Sequence, residues 1–157
     1  MRIRLHPIDG NNHRQVRALA IRPDQARFVS SVEKSLADAY VWPDTRIRAA
    51  YADGKPVGYV MIYPFEKDGL SIVNIMRLMV DADHQGRGFG RAILQAALSW
   101  IQSLTPQPEL IRISTLPDNE VALGLYLSEG FTARGLEDGE IALYRMPDNV
   151  SGENAPE

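Results

Sequence analysis

The densest run of chemistry-bearing positions is Leu78-Met79-Val80-Asp81-Ala82-Asp83-His84-Gln85-Gly86-Arg87-Gly88-Phe89-Gly90-Arg91. A hydrophobic stretch stops, three glycines follow in alternation, and an amphipathic pattern begins at once. Glycine tolerates positive φ and lets the backbone come close to a bulky anion. The first turn of a helix leaves N–H groups without intrahelical acceptors and carries the positive end of the macrodipole. A turn of this kind is a cradle for phosphate, and Arg87 and Arg91 bring charge-assisted donors to it. A P-loop would need Gly, four residues, then Gly-Lys-Ser/Thr, which the chain lacks. The Gly-x-Gly-x-x-Gly dinucleotide fingerprint starts at Gly86 but meets Arg91 where its third glycine belongs.

Asn119 and Tyr126 form a second group, seven residues apart and therefore on nearly the same side of a helix. The Tyr126 phenol, with an unperturbed pKa near ~10, keeps its proton at neutral pH and can donate it. Glu33 and Asp38 fall on one expected helix, about 500° apart, too far round to act as a tight pair. They still make an acidic rim attractive to a cation. Phe28, Tyr40 and Trp42 offer an aromatic wall, and Glu140 opens the last expected strand. His6, His13 and His84 are scattered, no His/Asp/Glu group has metal-ligand spacing, and no metal is expected. Without cysteine there is neither a disulfide framework nor a thiolate nucleophile.

The elements that must position these residues can be read from periodicity. Residues 2–5 alternate as a half-buried strand, residues 13–19 suit a short helix capped by Asn11 or Asn12, and residues 24–40 hold one or two helices that Pro43 ends. Three strand-like runs follow, residues 46–51, 56–63 and 71–80, with Asp53-Gly54 as a hairpin turn between the first two. Their short connections predict an antiparallel meander. A helix then runs from the glycine loop to about Leu104, with Ile93, Leu94, Ala97, Leu98, Ile101 and Leu104 on one face. Residues 109–116 are a fifth strand, and Asp118 or Asn119 caps a helix that stops before Gly130. Residues 131–136 and 141–146 close the domain as a hairpin around Asp138-Gly139. The expected architecture is a single α/β (α+β) domain with a mostly antiparallel sheet of six to seven strands and about four flanking helices.

Composition bounds the function classes. The chain has 157 residues, 45% hydrophobic and 24% charged, enough for one domain with a real core. A formal net charge of −3 argues against a general nucleic-acid binder, which needs a basic surface. No apolar run approaches the ~20 residues of a membrane span. The alternating start, Met1-Arg2-Ile3-Arg4-Leu5, is unlike a signal peptide. A soluble, cytoplasmic protein is expected, with no nucleic-acid or membrane partner.

The spacing Gln85-x-x-Gly88-x-Gly90, followed by Asn119, Tyr126 and Gly130-Phe131, resembles the GCN5-related N-acetyltransferase (GNAT) superfamily over nearly the whole domain. Gln25-Ala26-Arg27-Phe28-Val29, Ser35-Leu36-Ala37-Asp38-Ala39-Tyr40 and Lys55-Pro56-Val57-Gly58-Tyr59-Val60-Met61 resemble a bacterial branch that includes spermine/spermidine acetyltransferases. The resemblance implies an N-acetyltransferase domain over residues 1–147, a polar flexible tail over 148–157, and acetyl-CoA as co-substrate. By the same resemblance the fourth strand splays at a bulge, and Leu78, Met79 and Val80 present backbone groups to the pantetheine arm. The diphosphate falls to Gln85, Gly86, Arg87, Gly88, Phe89, Gly90 and Arg91, and the arm also meets Asn119. Tyr126 is implied as general acid to the departing thiolate, and the Leu78 N–H as the donor that polarises the acetyl carbonyl. The acceptor implied is a small, polyamine-like amine near Phe28, Glu33, Asp38, Tyr40 and Glu140. Met76 stands where some relatives carry an acid; by analogy Glu33, Asp38, Glu140 or a water chain to solvent are the alternatives, and the base is left open. A protein or aminoglycoside acceptor, a non-catalytic acyl-CoA sensor, and a module for another phosphate ligand are the alternatives. The resemblance leaves a homodimer open.

Overall fold

The computed structural model describes residues 2–148. Strands β2 (Arg46–Ala52), β3 (Lys55–Lys67) and β4 (Leu70–Val80) form the expected antiparallel meander. Asp53-Gly54 and Asp68-Gly69 turn its corners, all four residues at positive φ, as tight turns matched to strand twist require. β1 (Arg4–Pro7) adds to β2 two residues later than its alternation predicts. Beyond β4 come β5 (Leu110–Thr115), β7 (Glu140–Arg145) and β6 (Thr132–Glu137), giving a seven-stranded sheet in the order β1-β2-β3-β4-β5-β7-β6. Among the described residues, the β4–β5 contact alone is parallel.

Four helices cover the sheet. α1 (His13–Arg17) and α2 (Val32–Val41) lie on one face, over a cluster of Val16, Val32, Ala49, Tyr59, Met61 and Met79. α2 is shorter than the sequence allows because Ser31 caps it, its Oγ accepting the Lys34 N–H at 3.1 Å. α3 (Phe89–Gln102) buries Ile93, Leu94, Ala97, Leu98 and Ile101 on the opposite face. Each buried Leu or Ile there contributes about 1.5–3 kcal/mol. α4 (Glu120–Ser128) shares that second core through Leu125 and Tyr126. Arg91 on α3 ties the two helices together through Ser128 at 3.0 Å and Glu129 at 2.5 Å. Asp148 is held by Arg145 at 2.8 Å, and the tail expected beyond it lies outside the described residues.

Two irregularities shape the functional end. β4 and β5 pair only from Ile72–Leu110 to Ile75–Ile113, and the strands then part. At the same level β4 pairs Ile75 with Ile62 and Arg77 with Met61, so Met76 is an extra, bulged residue. The bulge reverses the alternation of β4: Val73 and Ile75 face α3 before it, and Leu78 and Val80 do so after it. Without it, Arg77 would point into the α3 core.

Gly58 sits opposite Val80, where β3 must pass tightly behind the fork. A Cβ there would stand 2.0 Å from the Met79 carbonyl oxygen and 2.8 Å from Ile93 Cδ1. Gly58→Ala is therefore expected to cost about 3 kcal/mol or more, read as a lower urea midpoint at unchanged m-value. A wild-type midpoint would show that the strands yield and that the close approach is not a constraint.

Candidate active site

The parted strands open a cleft of about 1040 Å³ that reaches from the fork to the first turn of α3. At its far end, Gly86 and Gly88 take φ of 76° and 86°, left-handed values that a β-branched residue resists. The first bond of α3 runs from the Ala92 N–H to the Gly88 carbonyl at 3.2 Å. The N–H groups of Phe89, Gly90 and Arg91 precede it and have no intrahelical acceptor. Gly88, as N-cap, supplies no side chain to satisfy them. A diphosphate fits this arrangement of free donors at the positive end of a fourteen-residue helix.

The loop's polar side chains do other work. Gln85 Nε2 donates to the Val80 carbonyl at 3.0 Å and to Gln25 Oε1 at 2.7 Å, so Gln85 braces the loop against the segment between α1 and α2. Arg87 donates to the Asp83 carbonyl at 2.8 Å and does not line the cleft. Arg91 lines it, yet its guanidinium is engaged by Glu129. The extra cationic donors expected from the sequence are thus turned elsewhere, and backbone amides make the cradle. Asp81, missed in the sequence, pins the base of the loop. Its Oδ1 accepts the Ala20 N–H and its Oδ2 faces His84 Nδ1, each at 2.9 Å.

Along the fork, the Asp81 N–H bonds the Val57 carbonyl at 2.8 Å, which turns the Val80 carbonyl away from β3. The two-residue repeat of a strand then places the Leu78 and Val80 backbone groups on the open edge, between Met79 groups that face β3. Leu78, Met79, Val80, Asn119 and Tyr126 all line the cleft. Asn119 caps α4, its Oδ1 accepting the Ala122 N–H at 3.3 Å, which leaves the amide Nδ2 free to donate.

Tyr126 is 8% exposed, and its hydroxyl bonds no other described residue. Burial, and secondarily the nearby Glu140 carboxylate, push its pKa up to about 12. The group is therefore a full proton donor at neutral pH. A thiolate released into the same dry space becomes more basic for the same reason, so donor and acceptor are shifted together.

The expected acceptor residues separate. Phe28 lines the cleft, but Glu33, Asp38, Tyr40 and Glu140 do not. Tyr40 is 90% exposed at the end of α2. Asp38 is captured by Arg77 at 2.7 Å and Lys34 at 3.3 Å, and the Arg77 hydrogen bond holds its carboxyl below the usual range. It behaves as a brace for Arg77, a role hidden from the sequence because it depends on the bulge. Arg22, Asp24, Gln25 and Val29 line the cleft instead, with Ser114 from β5. The first four precede α2, in a segment that holds one 3-10 turn (Pro23–Gln25) where the periodicity suggests helix from residue 24. Ser114 was legible in principle, as the outward residue between Ile113 and Thr115.

The pKa shifts give a sign-determined test of this geometry. Tyr126 is raised in the folded state, so its contribution is complete below pH ~10 and is lost as pH rises through about 12. Over that window wild type should lose about 2–3 kcal/mol relative to Tyr126→Phe in urea titrations. Parallel stability curves for the two proteins would contradict the buried phenol.

A family model for acetyltransferases (GNAT) matches residues 14–131. The probable spermine N(1)-acetyltransferase of Bacillus subtilis subsp. natto (strain BEST195) is 25% identical over 139 residues, covering 86% of this chain and 91% of the relative. An acetyltransferase crystal structure from Thermus thermophilus superposes with a TM-score of 0.73 at 19% identity, covering 93% of this chain and 97% of that one. A spermidine N-acetyltransferase from Vibrio cholerae, in complex with CoA and spermine, gives 0.72 at 17% identity, covering 93% and 96%.

Proposed function

The chain belongs to the GNAT acetyltransferase family, and from that premise we propose that it moves the acetyl group of acetyl-CoA to a small primary amine by direct attack on the thioester. The observation that carries the proposal is the open β4–β5 fork with the amide cradle at one end and the buried Tyr126 phenol beside it. Acetyl transfer needs a held near-attack geometry, a donor for the developing oxyanion and a proton for the departing sulfur. No nucleophilic side chain is required, so the lack of cysteine is no obstacle.

The coenzyme supplies the activated acetyl group. The chain's own residues bind and orient it: the amides of Gly88, Phe89, Gly90 and Arg91 hold the diphosphate, and the open edges of Leu78 and Val80 take the arm with the Asn119 amide. The Leu78 N–H polarises the acetyl carbonyl. Tyr126 holds its proton toward the sulfur position and gives it up as the C–S bond breaks. A polyamine-like acceptor is favoured by the relatives named above and by Asp24 on the cleft wall, a solvated carboxylate suited to a cation.

Coenzyme binding and turnover can be tested separately. CoA and acetyl-CoA should raise Tm in a titration where ATP does not, and Gly88→Val should abolish that shift by closing the backbone approach. Equal stabilisation by ATP would remove the coenzyme assignment. Free-thiol release over spermine, spermidine, lysine and kanamycin identifies the acceptor, and no release with any amine would favour an acyl-CoA sensor. Tyr126→Phe is expected to lower kcat about 100-fold or more with the CoA-induced Tm shift intact. Unchanged turnover would assign the thiolate's proton to another group.

A further inference from the structure

Direct attack leaves one proton unassigned, and Met76 at the bulge cannot take it. Ser114 is the first β5 residue beyond the Ile75–Ile113 pair, so it stands at the mouth of the fork. Ile111 and Ile113 face the α3–α4 core, which turns Ser114 to the other face of the sheet, and it lines the cleft there. Its Oγ donates to Glu140 Oε1 at 3.1 Å. Glu140, the first residue of β7, is half-buried beneath it.

Three other carboxylates of this region already have cationic partners. Asp38 is held by Arg77 at 2.7 Å and Asp118 by Arg27 at 2.6 Å. Glu137 takes Arg112 at 3.0 Å, Lys67 at 3.5 Å and the Tyr144 hydroxyl at 3.0 Å. The charged and titratable groups around Glu140 are Glu137 and Asp138 in its hairpin, Tyr144 on its own strand, Arg112 on β5 and Tyr126 on α4. Arg112 is spent on Glu137 and on Asn74 Oδ1 at 2.9 Å, and Lys67 on Glu137. Glu140 makes no ion pair among the described residues, and its carboxylate is left bonded to a hydroxyl that faces the reacting space.

We propose that Glu140, acting through Ser114, takes up the proton that the acceptor nitrogen loses as the amide forms. This role rests on the acetyl-transfer function proposed above. The amine enters as its neutral form, and its lone pair makes the C–N bond to the thioester carbonyl carbon. That bond makes the nitrogen acidic. Its N–H proton passes to Ser114 Oγ while the Ser114 hydroxyl proton passes to Glu140 Oε1. The C–S bond breaks with its electron pair on sulfur, and sulfur takes the Tyr126 proton. The proton on Glu140 then returns to the Tyr126 phenolate through solvent, so the cycle consumes no net proton. Glu140 is the acceptor at one remove and Ser114 the group that touches the amine.

Steady-state thiol release with spermine, or with the fastest amine of the panel, followed across pH ~6–9, tests the relay. Glu140→Gln keeps the shape and the hydrogen bond to Ser114 but cannot accept a proton. It should lower kcat about 100-fold, while the CoA-induced Tm shift stays at the wild-type value. Ser114→Ala should show the same loss, and Ser114→Thr, which restores an Oγ, should recover most of kcat. A kcat within about twofold of wild type in either Glu140→Gln or Ser114→Ala would overturn the relay. Failure of CoA to stabilise the wild-type protein would instead overturn the coenzyme function on which it rests, so the two failures are distinguishable.

Discussion

β4 and β5 begin as hydrogen-bonded parallel neighbours and end as the two arms of a fork, and the geometry of the cleft follows from that parting. Beyond Ile75 and Ile113 the facing backbone groups have lost their strand partners, a loss of about 1–3 kcal/mol for each group kept from water. Three features hold the arms apart. The Met76 bulge bends β4 and reverses which face its side chains take. Leu125 and Tyr126 from α4 pack beneath the opening, and the Arg91–Glu129 pair fixes α4 against α3. A ligand with amides along its length, such as the pantetheine arm proposed above, would replace the missing strand.

Electrostatics divides the cleft into two ends. At the α3 end the positive partial charge resides on fixed backbone amides, while the nearby guanidiniums of Arg87 and Arg91 are tied to Asp83 and Glu129. The cradle is therefore preorganised and costs little side-chain ordering when an anion arrives. At the fork, Arg77 is matched by Asp38, so the strand that would polarise the acetyl carbonyl carries no net charge from that pair. Arg27 and Asp118 likewise pair across the cleft between the α1–α2 segment and the start of α4. The Tyr126 phenol and the Glu140 carboxylate lie on opposite faces of the sheet.

Much of this was legible in the residue pattern, and what was not has a common cause. The meander, the α3 face and the Asp-Gly corners are local, written in periodicity and turn chemistry. The glycine loop and the Asn119–Tyr126 spacing were legible because both are set within one helix or its cap. The bulge position was not, since it exists only in the registration of β4 against Met61 and Ile62. Asp38 and Tyr40 were misplaced for that reason and because α2 starts at Val32, capped by Ser31, several residues after the first apolar repeat at Phe28. The α1–α2 segment carries Arg22, Asp24 and Gln25 into the cleft, held by the Gln25–Gln85 and Ala20–Asp81 contacts, which join residues about sixty positions apart and leave no local signal.

The central claim is that unpaired amides of the α3 first turn and of the β4 edge grip the coenzyme. Titrating ¹⁵N-labelled protein with CoA and following each backbone amide measures that directly. The largest shifts should fall on Gly86, Gly88, Phe89, Gly90 and Arg91, with a second set on Leu78 and Val80 and only small changes in β1, β2 and β6. Saturable shifts confined to other parts of the surface, or amides of the α3 first turn that do not respond, would contradict it.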